Sequence, residues 1–366
     1  MKTENRRIAI IVFSLLVLGT VVYFLSDIVG YVIIAWVLSM VGQPIMNLFL
    51  KIKIGKKIRM GRIPAAILTL ISFIIGIGLL VMIFVPLIIE QANNLRNVQY
   101  DQIYETLSVP ISTINQKLID LGIVTSDQLS SENFIRALSD WFKPDFISNF
   151  IGNIFSIAGN ILIGIFSVLF IAFFFLREKN LFTNFIKAMV PDEYEADTEV
   201  VIEDISRMLR KYFGGIILQI LCITAFVSIL LWIFGIQNAL LIAFFAAIIN
   251  VIPYVGPFIG ALFGLFITVS SNLNVDFYEV LSPLMIKVVI VFAVMQLVDN
   301  FILQPFIYSN SVKAHPLEIF IIILVAAKVG GILGMILAIP TYTVIRVIAK
   351  EFLNQFKIVQ KLTGSM

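Results

Sequence analysis

The sequence predicts an all-α polytopic membrane protein of six to eight spans, and three observations carry that prediction. Apolar residues make up 60% of the 366, and the mean hydropathy is +1.01. They gather in eight blocks: Ile8 to Leu25, Ile28 to Leu50, Ile63 to Ile89, Ile151 to Leu176, Tyr212 to Phe234, Ala239 to Ser270, Pro283 to Tyr308 and Leu317 to Ile348. One helical crossing of a bilayer takes roughly 20 such residues. Charged residues are only 13% of the chain and fall mostly between the blocks. Barrel strands would alternate polar and apolar residues over about ten positions, and these blocks do not.

Taken in order, "MKTENRR" precedes an 18-residue apolar block with no small-x-small cleavage site after it. A signal peptide's apolar stretch runs roughly 7–15 residues, so this block reads as an uncleaved first span. Lysine and arginine mark cytoplasmic loops. Lys2, Arg6 and Arg7 place the N-terminus inside, and Lys51, Lys53, Lys56, Lys57, Arg59 and Arg62 do the same for the loop after the second block. Residues 1–90 therefore hold three spans, and the third delivers 91–150 to the outer side. In that segment seven acids face Arg96, Lys117, Arg136 and Lys143, while Ile111, Ile114, Leu118 and Leu121 recur at helical spacing. A small extracellular amphipathic helical segment is expected there. Residues 151–176 return inward as the fourth span. Residues 177–211 form a cytoplasmic helical segment, with Thr198 the expected N-cap and Val201, Ile202, Ile205, Met208 and Leu209 on one face. Residues 212–350 are the C-terminal core and 351–366 a cytoplasmic tail.

Two blocks of that core are too long. A straight helix from Ala239 to Ser270 would run roughly 48 Å, against about 30 Å of hydrocarbon. Near its middle stands Asn250-Val-Ile-Pro253-Tyr-Val-Gly256-Pro257, which cannot continue a regular helix. The block Leu317 to Ile348 holds Lys328, Gly330 and Gly331 at its middle. Non-helical backbone at membrane depth persists only where protein or water surrounds it. The breaks predict two long broken or re-entrant helical hairpins, with eight plain spans as the alternative. Gly256, Gly260 and Gly264, and again Gly330, Gly334 and Ala338, recur at every fourth position, as close helix packing requires. Matching Gly256 to Gly330 gives an inverted repeat with an offset near 74 residues. The loop Ser271 to Ser282 has acids and no Lys or Arg, so it reads as external. Lys313 before the last block and Arg346, Lys350, Lys357 and Lys361 after its midpoint read as internal.

Gln296, Asp299, Asn300 and Gln304 fall within about 140° of helical arc, on one face. A carboxylate in hydrocarbon costs several kcal/mol, so Asp299 needs protein or water around it and partners in reach. It lines a solute or ion pathway, or else pairs with a basic side chain near the inner interface. Lys328 is the candidate partner, with snorkelling to an interface as its other reading. Asn250, Gln219 and Asn160 line the same path or hydrogen-bond between helices. His315-Pro316 is the expected start of the last hairpin, with proton sensing as the alternative.

Chemistry is mostly excluded. The lone Cys222 lies mid-block and reads as an inert thiol, and the lone His315 removes histidine-cluster zinc sites. No HExxH, GxSxG, Walker-type or GxGxxG motif is present, so no catalytic residue, cofactor, metal or ATP-driven step is expected. Nothing in the charge pattern points to nucleic acid; the expected partners are the bilayer and a small polar solute, with H⁺ or Na⁺ as a coupled ion.

Three C-terminal stretches, "NVIPYVGPFIG" at 250–260, "QLVDNFILQPFIYSNSVKAHPL" at 296–317 and "GGILGMILAIP" at 330–340, resemble the autoinducer-2 exporter family of bacterial permease-like proteins. "IIAWVLSMVGQPIMNLF" at 33–49 and "PLIIEQANNL" at 86–95 extend the likeness over nearly the whole chain. Between Ile307 and Ala314 the chain departs from the family pattern, with Ser309 and Lys313-Ala314 where small residues are usual. The resemblance implies a transporter of the bacterial plasma membrane that exports small molecules such as autoinducer-2. It also implies a homo-oligomer, a pentamer being the leading arrangement. Cation/proton antiport and a non-transporting scaffold are the alternative functions.

Overall fold

The computed structural model describes residues 24–54, 58–96, 163–178, 180–272, 275–305 and 315–363, with isolated positions between 112 and 120. The expectations for residues 1–23, for most of 91–150, for the start of the fourth block, and for Asn160 and Lys313 lie outside the described residues.

The elements in order are α1 (Ser26–Lys51), a two-residue β-ladder, α2 (Arg62–Arg96), α3 (Ile163–Arg177), α4 (Leu181–Lys187), α5 (Glu195–Ile233), α6 (Ala239–Ile249), α7 (Val255–Ser270), α8 (Ser282–Val298), α9 (Pro316–Phe352) and α10 (Lys357–Thr363). The ladder pairs Lys53 with Arg59 and Ile54 with Ile58. π-helical turns at Phe277–Leu281 and Asp299–Leu303 flank α8. Four stretches among the described residues are long and apolar enough to cross a membrane: Ser26–Lys51, Arg62–Gln91, Asp192–Ile233 and Phe277–Leu303.

The chain divides into two compact units, one of residues 1–75 with 157–206 and one of 76–156 with 207–366. In the first, α1, α2 and α3 approach closely because the contact positions are small. Ala65 and Ala66 pack with Met46 and Leu176, and Gly42 faces Thr69, Phe73 and Leu176. Trp36 stacks on Phe182 at 4.1 Å. Thr198 is not the N-cap. The helix begins at Glu195, after a 3-10 turn over Asp192–Tyr194, and the acids Glu195 and Asp197 complement its N-terminal dipole instead.

The second unit holds both suspect blocks, and neither is a straight rod. The helices α6 and α7 lie antiparallel, joined by residues 250–254. A Cβ on Gly260 would touch Ala246, one on Gly264 would touch Ile242, and Phe245 stacks on Phe263 at 3.8 Å. The pairs 246–260 and 242–264 share one midpoint, Pro253. At the turn the Val255 N–H donates to the Pro253 carbonyl (2.8 Å), a γ-turn with Tyr254 at φ 67°. The second block turns back within α9 at Gly331, whose φ of 57° and ψ of −140° suit glycine alone. The Tyr342 hydroxyl donates to Glu318 at 2.9 Å, and a Cβ on Gly334 would strike the Ala326 carbonyl. Those pairs share the midpoint Gly330. His315 caps the entry to this hairpin, its Nδ1 accepting from the Leu317 N–H at 3.2 Å, with Pro316 at the first helical position. We call these hairpins 1 and 2. Their midpoints set the repeat offset at 77 residues, correcting the 74 suggested by glycine spacing.

Candidate functional site

The carboxylate of Asp299 is fully buried, at 0% exposure. It stands where α8 gives way to the π-turn, and three amide groups donate to it. Gln219 of α5 donates to Oδ1 at 2.7 Å; Asn250, at the tip of hairpin 1, donates to Oδ2 at 3.0 Å; Gln304 donates to Oδ2 at 2.8 Å. The π-turn explains the last bond. Its i→i+5 pitch, sealed by the Gln304 N–H on the Asp299 carbonyl, sets residue 304 over residue 299. The network runs on through Asn300, whose Oδ1 accepts from Gln296 at 2.9 Å and from Gln304 at 3.2 Å.

Helix lengths place these groups at one depth. Gln219 is 14 residues before the end of α5, Asn250 is 11 past the start of α6, and Asp299 is 17 past the start of α8. At about 1.5 Å per residue each lies roughly 17–25 Å from the shared end of those helices. At that end Gln91 donates to Ser270 Oγ at 3.0 Å and accepts from Asn238 at 2.8 Å, so a second polar cluster fastens α2 to the base of hairpin 1.

No Lys or Arg among the described residues forms a salt bridge with Asp299. Burying the charge costs several kcal/mol, and each hydrogen bond to a charged group returns about 1.5–3 kcal/mol. Three amides therefore offset most of that cost without a counter-ion. Two of these amides and one further member of the network are left with buried acceptors: Gln219 Oε1, Asn250 Oδ1 and Gln296 Oε1 have no hydrogen-bond partner among the described residues.

Of the residues singled out from the sequence, Gln296, Asp299, Asn300, Gln304, Asn250 and Gln219 come together in this network. Lys328 does not join it; it is exposed beside Gly330 and Gly331 at the tip of hairpin 2. Pro253, Gly256 and Pro257 form the tip of hairpin 1 and the first turn of α7, where Gly256 lies against the Ile249 carbonyl with no room for a Cβ. Gln219 carries the shortest of the bonds, and its isolation in an apolar block was its signal. The Gln91 cluster had a weaker one, since a glutamine and two serines at helix ends are common. The first unit has an open cleft of about 390 Å³ bordered by Arg62, Glu178, Asn180 and Asn184, which holds none of these groups.

The model of the family described as "AI-2E family transporter" matches residues 11–354. The chain belongs to the AI-2E transporter family. Among its relatives, YueF of Bacillus subtilis, named as a candidate transport protein, is 27% identical over 345 residues, covering 93% of this chain and 88% of YueF. YrrI of the same organism is 30% identical over 185 residues, half of each chain. MJ1177 of Methanocaldococcus jannaschii is 24% identical over 210 residues, 56% of this chain and 59% of its own. Both carry the same kind of name. This AI-2E family member is thus a multi-pass membrane protein of a transporter family, and its relatives are named for transport rather than catalysis.

Proposed function

We propose that this protein is a secondary transporter, not driven by ATP, that exports a small polar metabolite or signal of the autoinducer-2 kind across the bacterial plasma membrane, with both termini cytoplasmic. The observation that carries the reading is Asp299, an ionisable group buried at membrane depth and held by amides from three separate elements, one of them a hairpin tip. An intramembrane carboxylate marks a transport path by default. The oxygens of Gln219, Asn250 and Gln296, without a hydrogen-bond partner among the described residues, are acceptors that suit the hydroxyl or N–H groups of a polar solute. Hairpin 1 supports a re-entrant arrangement, since α6 and α7 extend only about 17 and 24 Å against roughly 30 Å of hydrocarbon.

Efflux from reconstituted vesicles loaded with autoinducer-2 and other small hydroxylated solutes tests the reading. Asp299→Asn preserves shape and should abolish efflux while the protein stays monodisperse. Unchanged efflux from that variant would remove the mechanism. Sodium-driven proton movement without solute efflux, lost in the same variant, would replace export by cation/proton antiport. No flux of any kind, with alanine tolerated along the whole polar stripe, would leave a scaffold.

A further inference from the structure

Two halves of the second unit match at the 77-residue offset in more than their hairpin midpoints. Tyr254 and Gly331, the positive-φ residues of the two tips, are 77 apart. So are Gln219 of α5 and Gln296 of α8, each the glutamine that donates into the polar network. The helices α5 and α8 run in opposite directions, because Gln219 meets Asp299 while Ile233 and Ser282 lie at the same end. The unit is an inverted pair: α5 with hairpin 1, and α8 with hairpin 2.

Matched positions nevertheless sit in opposite surroundings. Ile252 in tip 1 is 2% exposed, and its counterpart Val329 in tip 2 is 85% exposed. Val251 of tip 1 packs in one cluster with Tyr212 and Ile216 of α5 and with Ile339 on an arm of hairpin 2. The counterparts of those two α5 residues are Val289 and Ala293 of α8, and both are exposed. The counterpart of Val251 is Lys328, also exposed. A Cβ on Gly330 or Gly331 would meet nothing within 4 Å. One tip is seated on its helix; the other is exposed, and so is the α8 face that matches the first tip's seat at the 77-residue offset.

We infer that hairpin 2 is a second gate, which closes on the Val289–Ala293 face of α8 when hairpin 1 lifts from α5, so that the two halves exchange conformations. Inverted repeats supply such a pair of states through their shared helix-and-hairpin framework, although Ala327, Cys222 and Lys328 stand where Asn250, Asp299 and Val251 seat tip 1, so the seat of hairpin 2 is the weaker. Release of tip 1 costs the Asn250–Asp299 bond and relieves the strained γ-turn at Tyr254, whereas Gly331 bears no such strain. The inference rests on the transport reading for its purpose, though its geometry can be tested without a solute.

Cysteine cross-linking in a Cys222→Ser background tests it in the reconstituted full chain. The pair Lys328→Cys with Ala293→Cys mimics the seated Val251–Ile216 contact and should be joined by a short thiol-specific cross-linker. Adding Asn250→Ala, which frees tip 1, should raise that rate by about tenfold, the weight of one charge-assisted hydrogen bond. In parallel, single cysteines at Val329 and Ile252 should change reactivity toward a membrane-impermeant thiol reagent in opposite directions when Asn250→Ala is introduced. A pair that never cross-links, or two tips that change together or not at all, overturns the inference. Reciprocal tips in vesicles that move no solute would leave it standing and sink the transport reading instead.

Discussion

Asp299→Ala removes the acceptor of three amide donors at once, and the structure allows its cost to be worked out. Gln219 and Asn250 are buried, so neither freed donor can turn to water. A buried donor without a partner costs about 1–3 kcal/mol, which gives roughly 2–6 kcal/mol for the two. Gln304 is only half-buried and can rehydrate, so it adds little. Loss of the carboxylate also removes its own desolvation, worth several kcal/mol, which pulls the net toward the low end, about 2–3 kcal/mol. The sharper expectation is non-additivity. Gln219→Leu and Asn250→Ala each destabilise the parent protein, yet placed on Asp299→Ala they remove donors that are already orphaned and should cost far less. Coupling of about 1.5–3 kcal/mol per pair follows from the strength of a hydrogen bond to a charged group. Unfolding in mixed detergent micelles, followed by intrinsic fluorescence, gives the free energies for the full cycle. Effects that add to within about 0.5 kcal/mol would refute the reasoning, because contacting groups couple and distant ones do not.

Gly256→Ala drives a methyl group into the Ile249 carbonyl and against the Asn250 Cα, both backbone, so it should destabilise by about 1–3 kcal/mol; Gly330→Ala meets open space and should cost under about 1 kcal/mol in the same unfolding assay. Gln91→Leu deletes the bonds to Ser270 and Asn238 at the base of hairpin 1 and should cost about 1–2 kcal/mol, with faster hydrogen exchange across 236–242. On α4, the hydrogen bond from Lys187 to Glu199 raises its ammonium above the ordinary 10.5, with Glu195 adding attraction and partial burial opposing. A raised folded value means that this contribution is complete below pH 10.5 and fades as pH climbs past it. Resistance of the α4–α5 junction to proteolysis should therefore drop above that pH in the parent and lose the step in Lys187→Gln.

Much of the architecture was legible in the residues alone. Apolar length marked the blocks, and Pro253, Gly256, Gly330 and Gly331 marked where two of them fail to run straight. The polar stripe at 296–304 stood out because lipid penalises each of its members. What could not be read was partnership. Opposite charge made Lys328 the natural mate for Asp299, but hairpin 2 folds about Gly330 and leaves that lysine on its exposed tip. The real partners are neutral and lie 80, 49 and 5 residues away in the chain. Even the nearest depends on a π-turn that ordinary helical spacing does not anticipate.

Local chemistry, then, determined which segments are apolar, where helices break and which polar groups need shelter, since those properties depend on a residue and its neighbours in the chain. The tertiary structure decided which groups give that shelter and how the two halves align. Small residues recurring at every fourth position are compatible with several registers, one turn apart, at nearly equal local energy. Only contacts between arms, such as Gly260 on Ala246 and Tyr342 on Glu318, single out one of them.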